Sequence, residues 1–135
     1  MAFIVWDDLY ATGISSIDEQ HKHLISLLNR MFEALLQKKG KEGLSYVISE
    51  MDKYADYHFK TEETLMEKAG FDGLAEHKVF HDAFHAKVDD FCHKYSIEDE
   101  ALTAEVTIFL TNWINEHLSI IDQKYVPALK KAGLS

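Results

Sequence analysis

One proline in 135 residues, Pro127, leaves the chain ahead of it free of the residue that most reliably ends a helix. Upstream, apolar residues recur at the three- and four-residue intervals that gather them on one helical face. Leu24, Ile25, Leu28, Met31, Phe32 and Leu35 form one stripe, and His21 begins it. Val47, Met51, Tyr54, Ala55 and Leu65 form a second, and Phe80, Phe84, Val88 and Phe91 a third. Val106, Phe109, Leu110, Trp113 and Ile114 form the fourth. Local signals set the boundaries. Ser16 with Glu19 matches a capping box and opens a helix that runs to about residue 39. Gly40 and Gly43 bracket a turn, and a second helix spans about 44–69 with Gly70 as its C-terminal cap. A third spans about 73–94, Ser96 starts a short turn, and a fourth spans about 99–120, followed by a C-terminal tail. Residues 1 to about 15 read as an extended arm. Its Phe3, Ile4, Val5, Trp6, Leu9 and Tyr10 carry enough apolar surface to lie on the helices. Short connections make neighbouring helices antiparallel, so the expected fold is all-α: a single domain over 1–135, built as an up-down-up-down four-helix bundle.

Charge and cysteine content narrow the function. A net charge of −9 argues against nucleic acid or an anionic membrane surface as partner. No apolar run approaches the ~18–20 residues of a membrane span, and the N-terminus lacks the basic start of a signal peptide. The lone Cys92 excludes an intrachain disulfide and fits a reducing cytoplasm, the expected location. It reads as a small packed residue with no positive neighbourhood to activate it.

Histidine is the compositional anomaly, with eight in the chain. Five of them fall with two carboxylates into four stretches: His21; His58 with Glu62; His77 with His81; and His117 with Asp122. Alone, a histidine on an apolar stripe ordinarily hydrogen-bonds within a core, and Asp122 alone reads as a solvated residue near a helix end. Helix direction changes that reading. His21 lies one to two turns into the first helix, and His58 and Glu62 two to three turns before the end of the antiparallel second. His77 and His81 start the third, and His117 ends the fourth. At ~1.5 Å per residue, all four stretches reach one level near one end of the bundle. Seven ligands are too many for one closed tetrahedral zinc site, and a nitrogen-rich set suits a transition metal better than magnesium or calcium. The other three histidines fall outside it. His23 points to solvent, His85 turns to the flank one turn deeper, and His93 sits where a helix C-terminus favours a cation.

Over essentially its whole length the chain resembles the bacterial hemerythrins. Trp6-Asp7 through Gly13-Ile14, then Ile17-Asp18-Glu19-Gln20-His21-Lys22 and Leu24, are similar to the family's opening. His58-Phe59-Lys60-Thr61-Glu62-Glu63, His77-Lys78-Val79-Phe80-His81 and His117-Leu118-Ser119-Ile120-Ile121-Asp122 match its three later motifs. Trp113 and Tyr125 fall at the usual places around the last.

The resemblance implies a non-haem di-iron centre that binds O2 reversibly, without catalysis, for transport, storage or delivery. His77, His81 and His117 would hold one iron and His21 and His58 the other. Glu62 and Asp122 would bridge them, together with a solvent-derived oxygen. With both ions six-coordinate, ligand counting fills eleven of twelve positions and leaves the last, beside His21 and His58, to O2. Two Fe(II), two carboxylates and a hydroxide carry about +1 overall, a charge an apolar pocket tolerates. By family position Leu24, Phe59, Trp113, Ile114 and Leu118 wall the O2 pocket; Leu118 stands where the family often has isoleucine. Oxidising di-iron enzymes on bundles generally draw ligands from Glu-x-x-His motifs, and no such motif supplies a ligand here. A sensory domain that reports O2 or redox state to a signalling partner is the second expectation. A di-iron enzyme handling peroxide or nitric oxide is the third.

Overall fold

The computed structural model of the chain describes residues 4–37, 40–97 and 100–135, so Phe3 and the expected helix boundaries at 39 and 99 lie outside the described residues. Among the described residues five α-helices follow in order: α1 (Ser15–Leu36), α2 (Gly40–Lys68), α3 (Leu74–Ser96), α4 (Leu102–Asn112) and α5 (Val126–Lys131). Between α4 and α5 the backbone continues as a π-helix, Trp113–Ile121. No strand occurs among the described residues. α1 packs on α2 and α4, and α3 completes the ring by packing on α2 and α4. The result is the expected four-helix bundle. No described helix is long and apolar enough to cross a membrane.

Several boundaries depart from expectation for physical reasons. α1 starts at Ser15 with Ile14 in the cap position and no side-chain cap bond, so the Ser16–Glu19 box does not form. Asp18 organises the entry instead. Its carboxylate accepts the Thr12 N–H and hydroxyl, both at 2.8 Å, and the Gly13 N–H at 3.2 Å. Gly40 and Gly43 lie inside α2 rather than bracketing a turn. An interior glycine costs only about 1 kcal/mol, less than the burial of Leu44, Val47 and Ile48 returns. Gly70 does end the helix, with φ +64°. The Phe71 N–H donates to the Met66 carbonyl and the Gly70 N–H to the Glu67 carbonyl, the two bonds of a Schellman cap.

Three helical residues read as packed face solvent. Phe80 is 42% exposed, because α3 turns Phe84, Val88 and Phe91 inward and leaves Phe80 on the flank. Leu35, at the end of its stripe, is exposed as well. Cys92 follows the buried Phe91 and points outward. Part of the arm lies on the bundle, while its Val5 and Leu9 are exposed. Asn29 accepts the Ile4 N–H and donates to the Ile4 carbonyl, each at 2.8 Å, and Trp6 and Tyr10 pack partly buried against the core.

The core divides in two along the bundle axis. The larger cluster includes Leu24, Leu28, Met31, Met51, Phe59, Phe84, Leu110, Ile114 and Leu118. The smaller gathers Ile14, Ile17, Met66, Tyr125 and Leu129. The expected C-terminal tail is therefore α5, which plugs this end of the bundle. On α1, α2, α3 and the segment after α4 the chain passes from one cluster to the other through a predicted ligand. α1 runs Ile17, His21, Leu24; α2 runs Phe59, Glu62, Met66; α3 runs Leu74, His77, His81, Phe84; and the chain leaving the π segment runs Leu118, Asp122, Tyr125.

Candidate metal centre

All seven predicted ligands lie in this polar layer, and each is at most 3% exposed. Their donor atoms form two groups, each with members within 4.8 Å of one another: Glu62, His77, His81, His117 and Asp122; and His21, His58, Glu62 and Asp122. Both carboxylates belong to both groups. The imidazole rings divide likewise. His21 and His58 are 4.8 Å apart, and His77 lies 4.6 Å from His81 and 5.0 Å from His117.

Within each group the donor atoms approach to hydrogen-bonding distance. Asp122 Oδ1 lies 2.9 Å from His77 Nε2 and 3.0 Å from His117 Nε2, and its Oδ2 lies 3.0 Å from His21 Nε2. Glu62 Oε1 lies 2.8 Å from His58 Nε2 and 3.4 Å from His81 Nε2. Yet all five Nε2 atoms, Glu62 Oε1 and both Asp122 oxygens are buried without a partner in hydrogen-bond geometry. The atoms crowd together but do not point at one another. Metal–donor bonds of about 2.1 Å at right angles hold neighbouring donors about 3.0 Å apart, so this spacing is that of donors around a shared cation. Two buried carboxylates with three unsatisfied oxygens suit a cation held among them. The donor set fits a pair of transition-metal ions.

The pitch of the π segment makes Asp122 available. Its N–H donates to the His117 carbonyl at 2.7 Å, a five-residue step, and both side chains thereby reach the site from one face. Electrostatics keep the carboxylates charged. Burial pushes both up, but the histidines around them hold Glu62 and Asp122 below the usual carboxylate range. Burial pulls His21 down, and the Asp122 carboxylate overrides it, leaving His21 raised. At His58 burial prevails and the ring is lowered. His81 is raised because Glu62 and Glu63 outweigh its burial. Burial, reinforced by Glu62 and Asp122, holds the phenols of Tyr54 and Tyr125 well above their ordinary value.

Four further residues serve the site, and only Tyr125 stood out in the sequence. The Tyr125 hydroxyl donates to Glu62 Oε2 at 2.5 Å. Tyr54 stacks on the His58 ring at 4.6 Å. Gln20 Oε1 lies 2.5 Å from His58 Nδ1, and Glu63 Oε2 lies 2.7 Å from His81 Nδ1. Gln20 and Glu63 are sequence neighbours of ligands, but each supports a histidine on a different helix, which no spacing rule reveals.

The expected pocket residues Leu24, Phe59, Trp113, Ile114 and Leu118 are all buried in the larger cluster. Phe59 lies flat on His81 and Trp113 flat on His117, both at 3.9 Å, so these two cover the three-histidine group. His23 and His93 are exposed. His85 is half-buried on the flank, 5.7 Å from the Phe59 ring.

A profile described as the hemerythrin HHE cation binding domain matches residues 12–129. The chain is 34% identical over 132 residues to a bacteriohemerythrin of Pseudomonas aeruginosa, covering 96% of this chain and 84% of that protein. It is 31% identical over 126 residues to one from Clostridium acetobutylicum, covering 90% and 98%. A crystal structure of wild-type hemerythrin is similar at a TM-score of 0.78 and 27% identity, covering 95% of this chain and 98% of that one.

Proposed function

The chain belongs to the hemerythrin family, and on that footing we propose that it binds O2 reversibly at a non-haem di-iron centre, as a carrier, store or local donor and not as an enzyme. One observation carries this reading: Glu62 and Asp122 belong to both groups of donor atoms, as carboxylates that bridge two ions must. His77, His81 and His117 would hold one iron and His21 and His58 the other. The paired irons, when bound, supply the electrons and the coordination position that O2 requires.

The chain's own residues do the rest. The second group offers one imidazole fewer, so the exchangeable position falls beside His21 and His58. Leu24, Ile114 and Leu118, buried in the larger cluster, would keep water from the exchangeable position, while Phe59 and Trp113 shield the three-histidine side. A dry, weakly charged pocket favours release of neutral O2 over escape of charged superoxide. Tyr125 fixes the orientation of Glu62 with its hydroxyl proton.

Metal analysis and visible spectra of the reduced protein under alternating O2 and inert gas test the reading. Two irons per chain and a reversible absorption change are expected. Fewer than two, or rapid turnover of peroxide or nitric oxide, would overturn it. Glu62→Ala should cost most of the iron, because it removes a ligand shared by both ions; full iron content in that variant contradicts the bridging assignment.

A further inference from the structure

The two groups of ligands differ in what stands behind them. Metal-bound imidazoles characteristically donate their other N–H to a fixed acceptor, which sets the ring's orientation and basicity. Here the acceptors are of opposite character. Behind His58 stands a neutral amide. Thr61 donates its hydroxyl to the Tyr57 carbonyl at 3.0 Å, so its oxygen is left to accept from Gln20 Nε2 at 3.4 Å. That orients the Gln20 carbonyl toward His58 Nδ1 and requires a proton on Nδ1, leaving the Nε2 lone pair facing the site. Behind His81 stands a full carboxylate, Glu63, at 2.7 Å. The Glu63 side chain is only 30% exposed, so water screens its charge incompletely.

We propose that Glu63 and Gln20 are positioning residues that make the two metal positions electronically unequal, Glu63 stabilising the oxidised state of the ion held by His81 and Gln20 withholding that stabilisation from the ion held by His58. This rests on the di-iron reading above. A carboxylate behind an imidazole pulls the Nδ1 proton toward itself and makes Nε2 a stronger donor, which favours the higher charge of Fe(III). An amide orients the ring equally well but adds no charge. The ion with three histidines is thereby biased toward losing an electron, and the ion beside the exchangeable position is held closer to neutral balance.

Spectroelectrochemical titration of the iron-loaded protein, with iron content measured in parallel, tests the assignment through Glu63→Gln and Gln20→Glu. Glu63→Gln keeps an acceptor of the same shape and removes the charge. It should retain both irons and lower the preference for the oxidised over the reduced centre about tenfold, which is 59 mV upward for a one-electron step. Gln20→Glu should move the potential downward. A potential unmoved in Glu63→Gln at full iron content overturns the proposal. If Glu63→Gln does not load iron, Gln20→Glu decides alone, and an unmoved or raised potential there overturns it. In the metal-free or zinc-loaded protein, the His81 Nδ1 proton resonance should shift upfield in Glu63→Gln and stay in place in Gln20→Glu. A wild type that holds no iron pair refutes the di-iron reading itself; an iron-loaded wild type with redox-silent variants refutes only the asymmetry.

Discussion

Individual side chains in this protein are governed by what their neighbours leave unsatisfied. Glu62 shows it best: one oxygen takes the Tyr125 hydroxyl, and the other has crowding histidines but no hydrogen bond. Cys92 is the opposite case, an exposed thiol whose neighbours oppose its ionisation. The bulk around it, then the charges of Asp52 and Asp89, push the thiol above its ordinary value. Raising a thiol's pKa lowers its thiolate fraction at any pH below that value, and the thiolate is the nucleophile. Cys92 should therefore react with iodoacetamide more slowly near neutral pH than an unstructured cysteine. Its rate should climb with pH through a midpoint above that of the free thiol. Salt should narrow the gap by screening the aspartates. A midpoint at or below the free-thiol value would contradict this.

At the scale of the helix, sequence was a good guide where side-chain spacing carries the information and a poor one where backbone geometry does. The stripes through Leu28, Met51, Val88 and Leu110 placed the four helices, and the ligand pairs His58–Glu62 and His77–His81 fell at helical spacing. His117 and Asp122 stand five apart, and the spacing alone did not disclose that the backbone widens into a π-helix over Trp113–Ile121 to serve them. Nor did Ser16 and Glu19 reveal that Asp18 would win the competition to organise the start of α1. Gln20 and Glu63 stayed silent because their partners are distant in the chain. The π segment gives a direct test. Deleting Ile120, which is exposed, shortens the His117-to-Asp122 step to four residues. Iron binding should be lost while circular dichroism shows most of the helix retained. Iron bound at full occupancy would mean that the wide pitch is dispensable.

For the molecule as a whole, seven buried candidate ligands between two apolar clusters would tie the stability of the fold to the proposed metal. Without a cation, crowded imidazoles and carboxylates are buried with their site-facing donors unpaired, at a cost of roughly 1–3 kcal/mol for each such group. A ligand that binds only the folded state adds about 4 kcal/mol at a thousand times its Kd. Removing metal with a chelator should lower the melting temperature markedly, and restoring Fe(II) should recover it. Equal melting temperatures for the two forms would show that the layer is not built around a cation.

The unequal division of the core has a consequence for how metal comes and goes. The cluster on the α5 side is small, anchored by Tyr125 and by Leu129 on a six-residue helix that follows it, whereas the other holds most of the buried apolar side chains. Free energies of opening follow such differences within one fold. The α5 end should therefore open at a lower free energy than the far end, and its backbone amides should exchange with solvent faster. A metal ion that enters or leaves without global unfolding is expected to pass through that end, where opening costs least.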